Sequence, residues 1–222
     1  MSKTSSSTES RGPALRAHVG LTKAQIIAAA MDLLDEDGLD KLSLRAVAGR
    51  LGVRVNAVAW HVKDKSSLIS AVTDAMMAHC VPSPLPEDPE ERVRALLTAL
   101  RTTLRSHRDG ARLAREGFSL DQPHQLAFAE AFNTALHATG RTPQAAAWTA
   151  WTLVYFTIGL VREEQTPPHR TLCAQAAAAD PADFPSLAAT IKHLTAESFD
   201  DRFAFGVDLI LTGHSAAPAT AD

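Results

Sequence analysis

What the chain lacks narrows its class first. Its 222 residues include only two cysteines, Cys80 and Cys173, set far apart. That is too few for the disulfide framework of a small secreted domain, so the chain reads as a reduced, cytoplasmic protein with incidental thiols. The opening MSKTSSSTESRGP has no apolar segment of the kind a secretory leader needs and reads as a disordered tail. No apolar run reaches the ~20 residues that cross a bilayer. The longest, Ala145 to Val161, is interrupted by threonines and reads as a buried helix, with no membrane partner. G-x-S-x-G, the P-loop and G-x-G-x-x-G are all missing, and none of the nine histidines stands four residues from another, the spacing that puts two metal ligands on one helix face. His79 beside Cys80 is more simply incidental. No catalytic residue, cofactor or metal is expected, and the chain does not read as an enzyme. Strict alternation over four to eight residues is also absent, which excludes half-buried strands and leaves an all-α fold.

Net charge is small, -3, so the total composition calls for no charged partner. The distribution is uneven. Residues 1–66 hold ten Lys+Arg against seven Asp+Glu, whereas residues 67–222 hold twelve against eighteen. Between 41 and 65 six basic residues (Lys41, Arg45, Arg50, Arg54, Lys63, Lys65) face one acid, Asp64. A small cationic module sits on an acidic body.

Helix signals order the chain. Thr22 and Gln25 form a capping box ahead of the apolar stripe Ile26, Ile27, Ala30, Leu33 and Leu34, and Gly38 ends that helix. Ser43 caps a second helix ending at Gly52, and a third runs from about Asn56 to Val62. A fourth starts near Asp64 or Ser66, carries Leu68, Ile69, Val72, Met76 and Met77, and breaks at VPSPLPEDPEE. Asp88, Pro89 and Glu91 combine cap, first-position proline and first-turn acid. Further helices are expected near 110–117, 123–138, 143–164 and 200–213, with 165–184 a long loop or weak helix without an assigned role. The expected divisions are a disordered tail at 1–19, a first helical domain at 20–66, a second helical domain at 67–215, and a second disordered tail at 216–222.

LRAVAGRLGVRVNAVAWHV, from Leu44, has the small and apolar positions of two helices crossing steeply: Ala48 for close approach, Gly52 for the turn, and Val47, Leu51, Val53 and Val58 facing inward. Plain helical hairpins share such spacing. The outward residues, however, are Arg45, Arg50, Arg54, Asn56, His61, Lys63 and Lys65 rather than mixed charges, which favours a DNA-facing surface over a merely solvated one.

These residues resemble a family. Thr22 to Ala71, with its capping box, DEDGLDKLSLRAVAGRLGV and VAWHVKDKSSL, resembles the DNA-binding domain of tetracycline-repressor-like (TetR) regulators. HRDGAR (107–112), FTIGLVREEQ (156–165) and FAFGVDLILTG (203–213) resemble the C-terminal domain of the tetracycline repressor subgroup. The resemblance implies a ligand-responsive repressor that binds a palindromic operator in double-stranded DNA as a homodimer, third helix in the major groove, and is released by a small-molecule effector. It implies a DNA-binding set of Ser43, Arg45, Arg54, Val55, Asn56, Ala57, Trp60, His61, Lys63 and Lys65. Arg45 and the 55–57 stretch match base-reading positions, with Asn56 suited to adenine, and Trp60, His61 and Lys65 match phosphate contacts. Ala59 stands where relatives carry a backbone-touching tyrosine.

In that subgroup the C-terminal domain binds a magnesium-chelated tetracycline. Here the metal-ligating histidine falls at Ala114, its neighbouring threonine at Gly117, and the drug-gripping amide and phenylalanine at Leu96 and Leu100; the acid matching Glu163 remains. Without an imidazole the magnesium has no direct protein ligand, so a more apolar effector is expected. The expected effector site comprises Leu96, Leu100, Phe118, Phe132, Trp151, Tyr155 and Glu163, with Leu104, Phe128 and Trp148 as further candidates. Aromatics at this spacing suit an ordinary core equally well. The resemblance also implies dimerisation through Ala145, Ala146, Ala147 and Ala150 on one helix and Phe203, Val207, Ile210 and Leu211 on the other, with Gly206 and Gly213 allowing close approach. The turn holding His107, Arg108 and Asp109 either receives a hinge movement or only stops a helix.

Overall fold

The computed structural model describes residues 20–166, 174, 180, 182–196 and 198–213. Both expected tails, Cys173 and most of the 165–184 stretch lie outside the described residues. Those described form helices and turns: α1 (Lys23–Asp37), α2 (Leu44–Leu51), α3 (Val55–His61), α4 (Lys65–Met76) with a single tight turn at Met77–His79, α5 (Pro89–Ser106), α6 (Gly110–Gly117), α7 (Pro123–Ala138), α8 (Pro143–Gln165), α9 (Pro185–Ala196) and α10 (Phe199–Thr212). None of them is long and apolar enough to cross a membrane.

The starts are set by side chains that satisfy otherwise unpaired first-turn N–H groups. Thr22 accepts from Gln25 N while Gln25 reaches back to Thr22 N, a complete capping box. Ser43, Asp64, Asp88, Thr142 and Ser198 cap α2, α4, α5, α8 and α10 in the same way. The α9 helix was not anticipated. Its start signal, Pro185 at the first position, is present, but Leu187 is exposed.

α1 packs on α2 and α4, and α2 on α3, around Ile26, Ala30, Leu34, Val47, Ala48 and Val58. A second layer surrounds α5, whose Val93, Leu96, Leu97, Leu100 and Leu104 are buried against α6, α7 and α8. α4 belongs to both layers. Its first half carries the cationic module, and its second half is fixed to the acidic body by polar contacts. Thr73 Oγ1 donates to Leu113 O at 3.2 Å. Asp74, buried, accepts from His124 N at 2.8 Å and Gln125 N at 3.1 Å, capping α7 from another helix. A Cβ on Gly117 would lie 2.0 Å from Thr73 Oγ1 and 2.8 Å from Ile69 O, so only glycine lets α6 come this close to α4.

Candidate nucleic-acid interface and effector region

Gly52, at φ 67°, takes the left-handed turn that aims α3 away from α2, and Val53 N donates to Ala48 O at 3.0 Å to close it. Val58 anchors α3 inward with no exposure at all, which leaves Arg54, Val55 and Asn56 exposed at the start of the helix. Trp60 is 84% exposed, an unusual position for an indole with no partner to cover it, and meets only the edge of His61, with ring centroids 5.1 Å apart. Arg45, Lys63 and Lys65 are exposed beside them. Among the described residues Arg45, Arg54, Lys63 and Lys65 form no salt bridge, and their exposed side chains make a cationic outward surface. Ser43 is half-buried, its hydroxyl oxygen occupied by Ala46 N at 3.1 Å; Ala57 is half-buried. Arg50 departs from the sequence reading, because it is paired with Glu36 of α1. Their hydrogen bond holds the Glu36 carboxyl below its usual range and the Arg50 guanidinium above its own, so Arg50 belongs to the packing of α1 on α2 rather than to the outward cationic set.

The expected effector residues are divided by the structure. Leu96, Leu100 and Phe132 are packed in the core, Phe132 stacked on Phe128 at 5.5 Å. Phe118, Trp151 and Tyr155 instead make a continuous aromatic run on the outside, with centroid separations of 5.7 and 5.4 Å, and Tyr155 is 65% exposed. Glu163 pairs with Arg202 of α10 at 3.2 Å. Leu96, Leu100, Ala114 and Gly117 are all buried, and Gly117 has no room even for a methyl. These residues do not fit a magnesium-chelated tetracycline: Leu96, Leu100, Ala114 and Gly117 carry no side-chain group that ligates a metal or hydrogen-bonds a drug. An open groove of about 650 Å³ lies elsewhere, between the 79–86 loop and the outer side of α5, lined by His79, Pro82, Pro86, Arg94, Thr98 and Thr102 among others.

The dimer residues that the resemblance implied are divided by the structure: Ala145, Ala147 and Ile210 are half-buried and Gly213 is exposed. Ala146, Ala150, Phe203, Val207 and Leu211 are buried within their own chain. Gly206 serves the same internal contact, since a Cβ there would sit 2.1 Å from the Phe156 ring of α8. The faces of α8 and α10 that remain open carry Trp148, Thr152, Tyr155 and Gly159, and Phe205 and Leu209. The sequence alone does not fix this phase, because alanines, threonines and aromatics share the helix.

One group escaped the sequence reading, and a second adds contacts to a turn that the sequence had singled out. Arg101, buried on α5, donates to Asp200 at 2.6 Å and to Glu164 at 3.2 Å, and lies 4.9 Å over the Phe203 ring. Arg105 adds a 3.0 Å contact to Glu164. The second group surrounds the 107–112 turn. Asp109 Oδ2 accepts from Leu39 N at 2.9 Å, Asp35 accepts from Arg108 N at 3.1 Å and lies 3.0 Å from His107 Nδ1, and Arg112 reaches Asp40 at 2.7 Å.

Comparison with known proteins agrees with this architecture. Residues 26–72 match the model for bacterial regulatory proteins of the tetR family, and residues 82–217 match that for the tetracyclin repressor-like C-terminal domain. The chain is 34% identical over 202 residues to tetracycline repressor protein class G of Vibrio anguillarum, covering 87% of this chain and 93% of that one. The Streptomyces coelicolor TetR family protein ActR, solved in complex with (S)-DNPA, superposes with a TM-score of 0.79 at 27% identity, over 88% of this chain and 97% of ActR. TetR from Acinetobacter baumannii superposes with a TM-score of 0.65 at 31% identity, over 88% and 97%.

Proposed function

Because the chain belongs to the TetR family of DNA-binding transcriptional regulators and carries the tetracycline repressor-like C-terminal domain, we propose that it holds a palindromic operator as a homodimer and releases it when a small molecule occupies that domain. The observation carrying this reading is the exposed cationic surface around α3, with Asn56 and Trp60 exposed beside it. Arg45, Val55, Asn56 and Ala57 read base edges, with Val55 offering a methyl-sized apolar contact and Asn56 a donor and acceptor for adenine. Ser43, Arg54, Trp60, His61, Lys63 and Lys65 hold phosphates and set register. Such a chain works in the cytoplasm, where its operator is.

The open faces of α8 and α10 meet their copies in a four-helix bundle, Trp148, Tyr155, Phe205 and Leu209 supplying apolar area and Gly159 the close crossing. The effector is apolar and not a metal chelate. Phe118, Trp151, Tyr155 and Glu163 border its entry, and Leu96, Leu100 and Phe132 must repack to admit it, which disturbs α5 and, through α6, the Gly117 contact on α4. ActR in complex with (S)-DNPA supports a small organic occupant. Two half-sites about one helical turn apart tolerate one separation of the recognition helices, so a small movement of α4 releases one of them.

The test is selection of duplexes from a random-sequence pool, followed by gel-shift titration. Enrichment of a palindrome is expected; recovery of unrelated sequences bound with equal strength overturns the proposal. On the selected duplex, Arg45→Ala should weaken binding by about 1–3 kcal/mol and relax one base position, whereas Lys65→Ala should weaken all sequences alike and lower the salt slope by about one.

A further inference from the structure

We propose that Asp35 and Asp40, at and just beyond the C-terminal end of α1, are positioning residues for operator recognition: through the 107–112 turn they give the DNA-binding domain a second attachment to the effector domain, fixing the angle of α3. This inference rests on the dimeric operator-binding reading above.

A domain carried on one helix can swivel about it; held at a second place, it moves only with that place or by breaking it. α4 is the first attachment. The second joins residues some 70 positions apart in sequence. Asp35 accepts from Arg108 N and faces His107, Arg108 Nη1 donates to Glu36 O at 2.6 Å, Asp109 accepts from Leu39 N, and Arg112 pairs with Asp40. Two of these are carboxylates receiving backbone N–H groups, stronger than neutral bonds, whereas the Arg112–Asp40 pair alone, with Asp40 largely exposed, would contribute little. The backbone is shaped for the contact. Asp109 is non-glycine at φ 57°, a conformation only surrounding structure maintains. Gly38, at φ 84°, leaves no space for a Cβ beside Asp109 Oδ2, which would be 2.9 Å away.

The same turn is tied to the opposite side of the molecule. Gln165, last residue of α8, donates to Leu104 O at 3.0 Å and His107 O at 2.9 Å. On the near side, Glu36 holds Arg50 of α2. A continuous set of bonds therefore runs from α8, the helix proposed to face the second copy, through the turn to α1 and α2. A turn that merely stopped α5 would need none of the contacts to Asp35, Leu39 and Asp40. Angle control gives these contacts a function, because binding two half-sites together depends on the relative orientation of the two α3 helices.

The experiment uses full-length protein and the palindromic duplex selected by the unaltered chain. Three probes are compared by titration: that duplex, the same with two base pairs inserted between half-sites, and a single half-site. The unaltered protein should prefer the selected spacing over the inserted one by at least about tenfold. The double variant Asp35→Ala, Asp40→Ala should bind the single half-site unchanged yet show less than about threefold preference for spacing. Asp40→Ala alone, at an exposed position, is the second variant in case the double one unfolds, and should show a smaller loss of preference. Weakening on all three probes together, or an unchanged spacing preference in a folded variant, overturns the inference. Failure of the unaltered chain to select any palindrome instead overturns the reading on which it rests.

Discussion

Gly117 shows how a single methyl group governs a contact between helices. Alanine there would collide with Thr73 Oγ1 and Ile69 O, and overpacking of this kind costs about 1–3 kcal/mol. Gly117→Ala should therefore lower the thermal midpoint, and adding Thr73→Ala should recover part of the loss, because Oγ1 is the nearer obstacle. Calorimetry of the two variants checks this; equal midpoints for Gly117→Ala and the unaltered chain would count against the close approach. Asp64 is a titratable counterpart. Its carboxyl is held below the usual range by the Ser67 N–H, then by the Ser67 side chain. A lowered folded value means that Asp64 contributes stability above its unfolded pKa of about 3.9 and loses it as pH falls through the lower folded one. Denaturant titrations between neutral pH and pH ~3 should show a shallower acid loss for Asp64→Asn, which keeps a capping side chain without the ionisation. Identical pH profiles would assign the acid loss to other groups.

At the scale of helices, starts were the most legible feature, because a cap is a local event: Thr22, Ser43, Asp64 and Asp88 bond the N–H groups their positions in sequence foretell. Pairings across the fold were not legible. Arg101 reads as a surface residue on an amphipathic helix, yet it is buried because Glu164 and Asp200, 63 and 99 positions away, meet it there. Asp200 is held below the usual range by that hydrogen bond and by the charge of Arg101. Arg101→Ala would strand Glu164, 15% exposed, with Arg105 as its remaining partner, so a loss near the lower end of roughly 3–5 kcal/mol is expected in urea titrations. The phase of α8 was likewise hidden. Alanines and aromatics share the helix, and the positions of α5, α6, α7 and α10 together decide which set turns inward. Tyr155→Glu with Phe205→Glu should yield monomers by analytical ultracentrifugation while leaving far-ultraviolet circular dichroism intact; an unchanged sedimentation coefficient would move the dimer face elsewhere.

Across the whole molecule, the separation of charge that was visible in composition becomes a division of labour. The cationic module presents Arg45, Arg54, Lys63 and Lys65 outward, while Glu36, Asp35 and Asp40 are spent on internal contacts. Each phosphate contact removed should lower the slope of log affinity against log salt by about 0.9. The three tryptophans follow the same division: Trp60 stands alone on the α3 face, and Trp148 and Trp151 stand on the open side of α8. The chain thus carries two intrinsic optical reporters. On the proposed reading, emission from Trp60 should change when a duplex covers α3, while that of Trp148 should shift to the blue as protomers exclude water between them. Trp60→Phe would silence the first signal and leave the second, allowing operator binding and assembly to be timed separately in one cuvette without any attached dye.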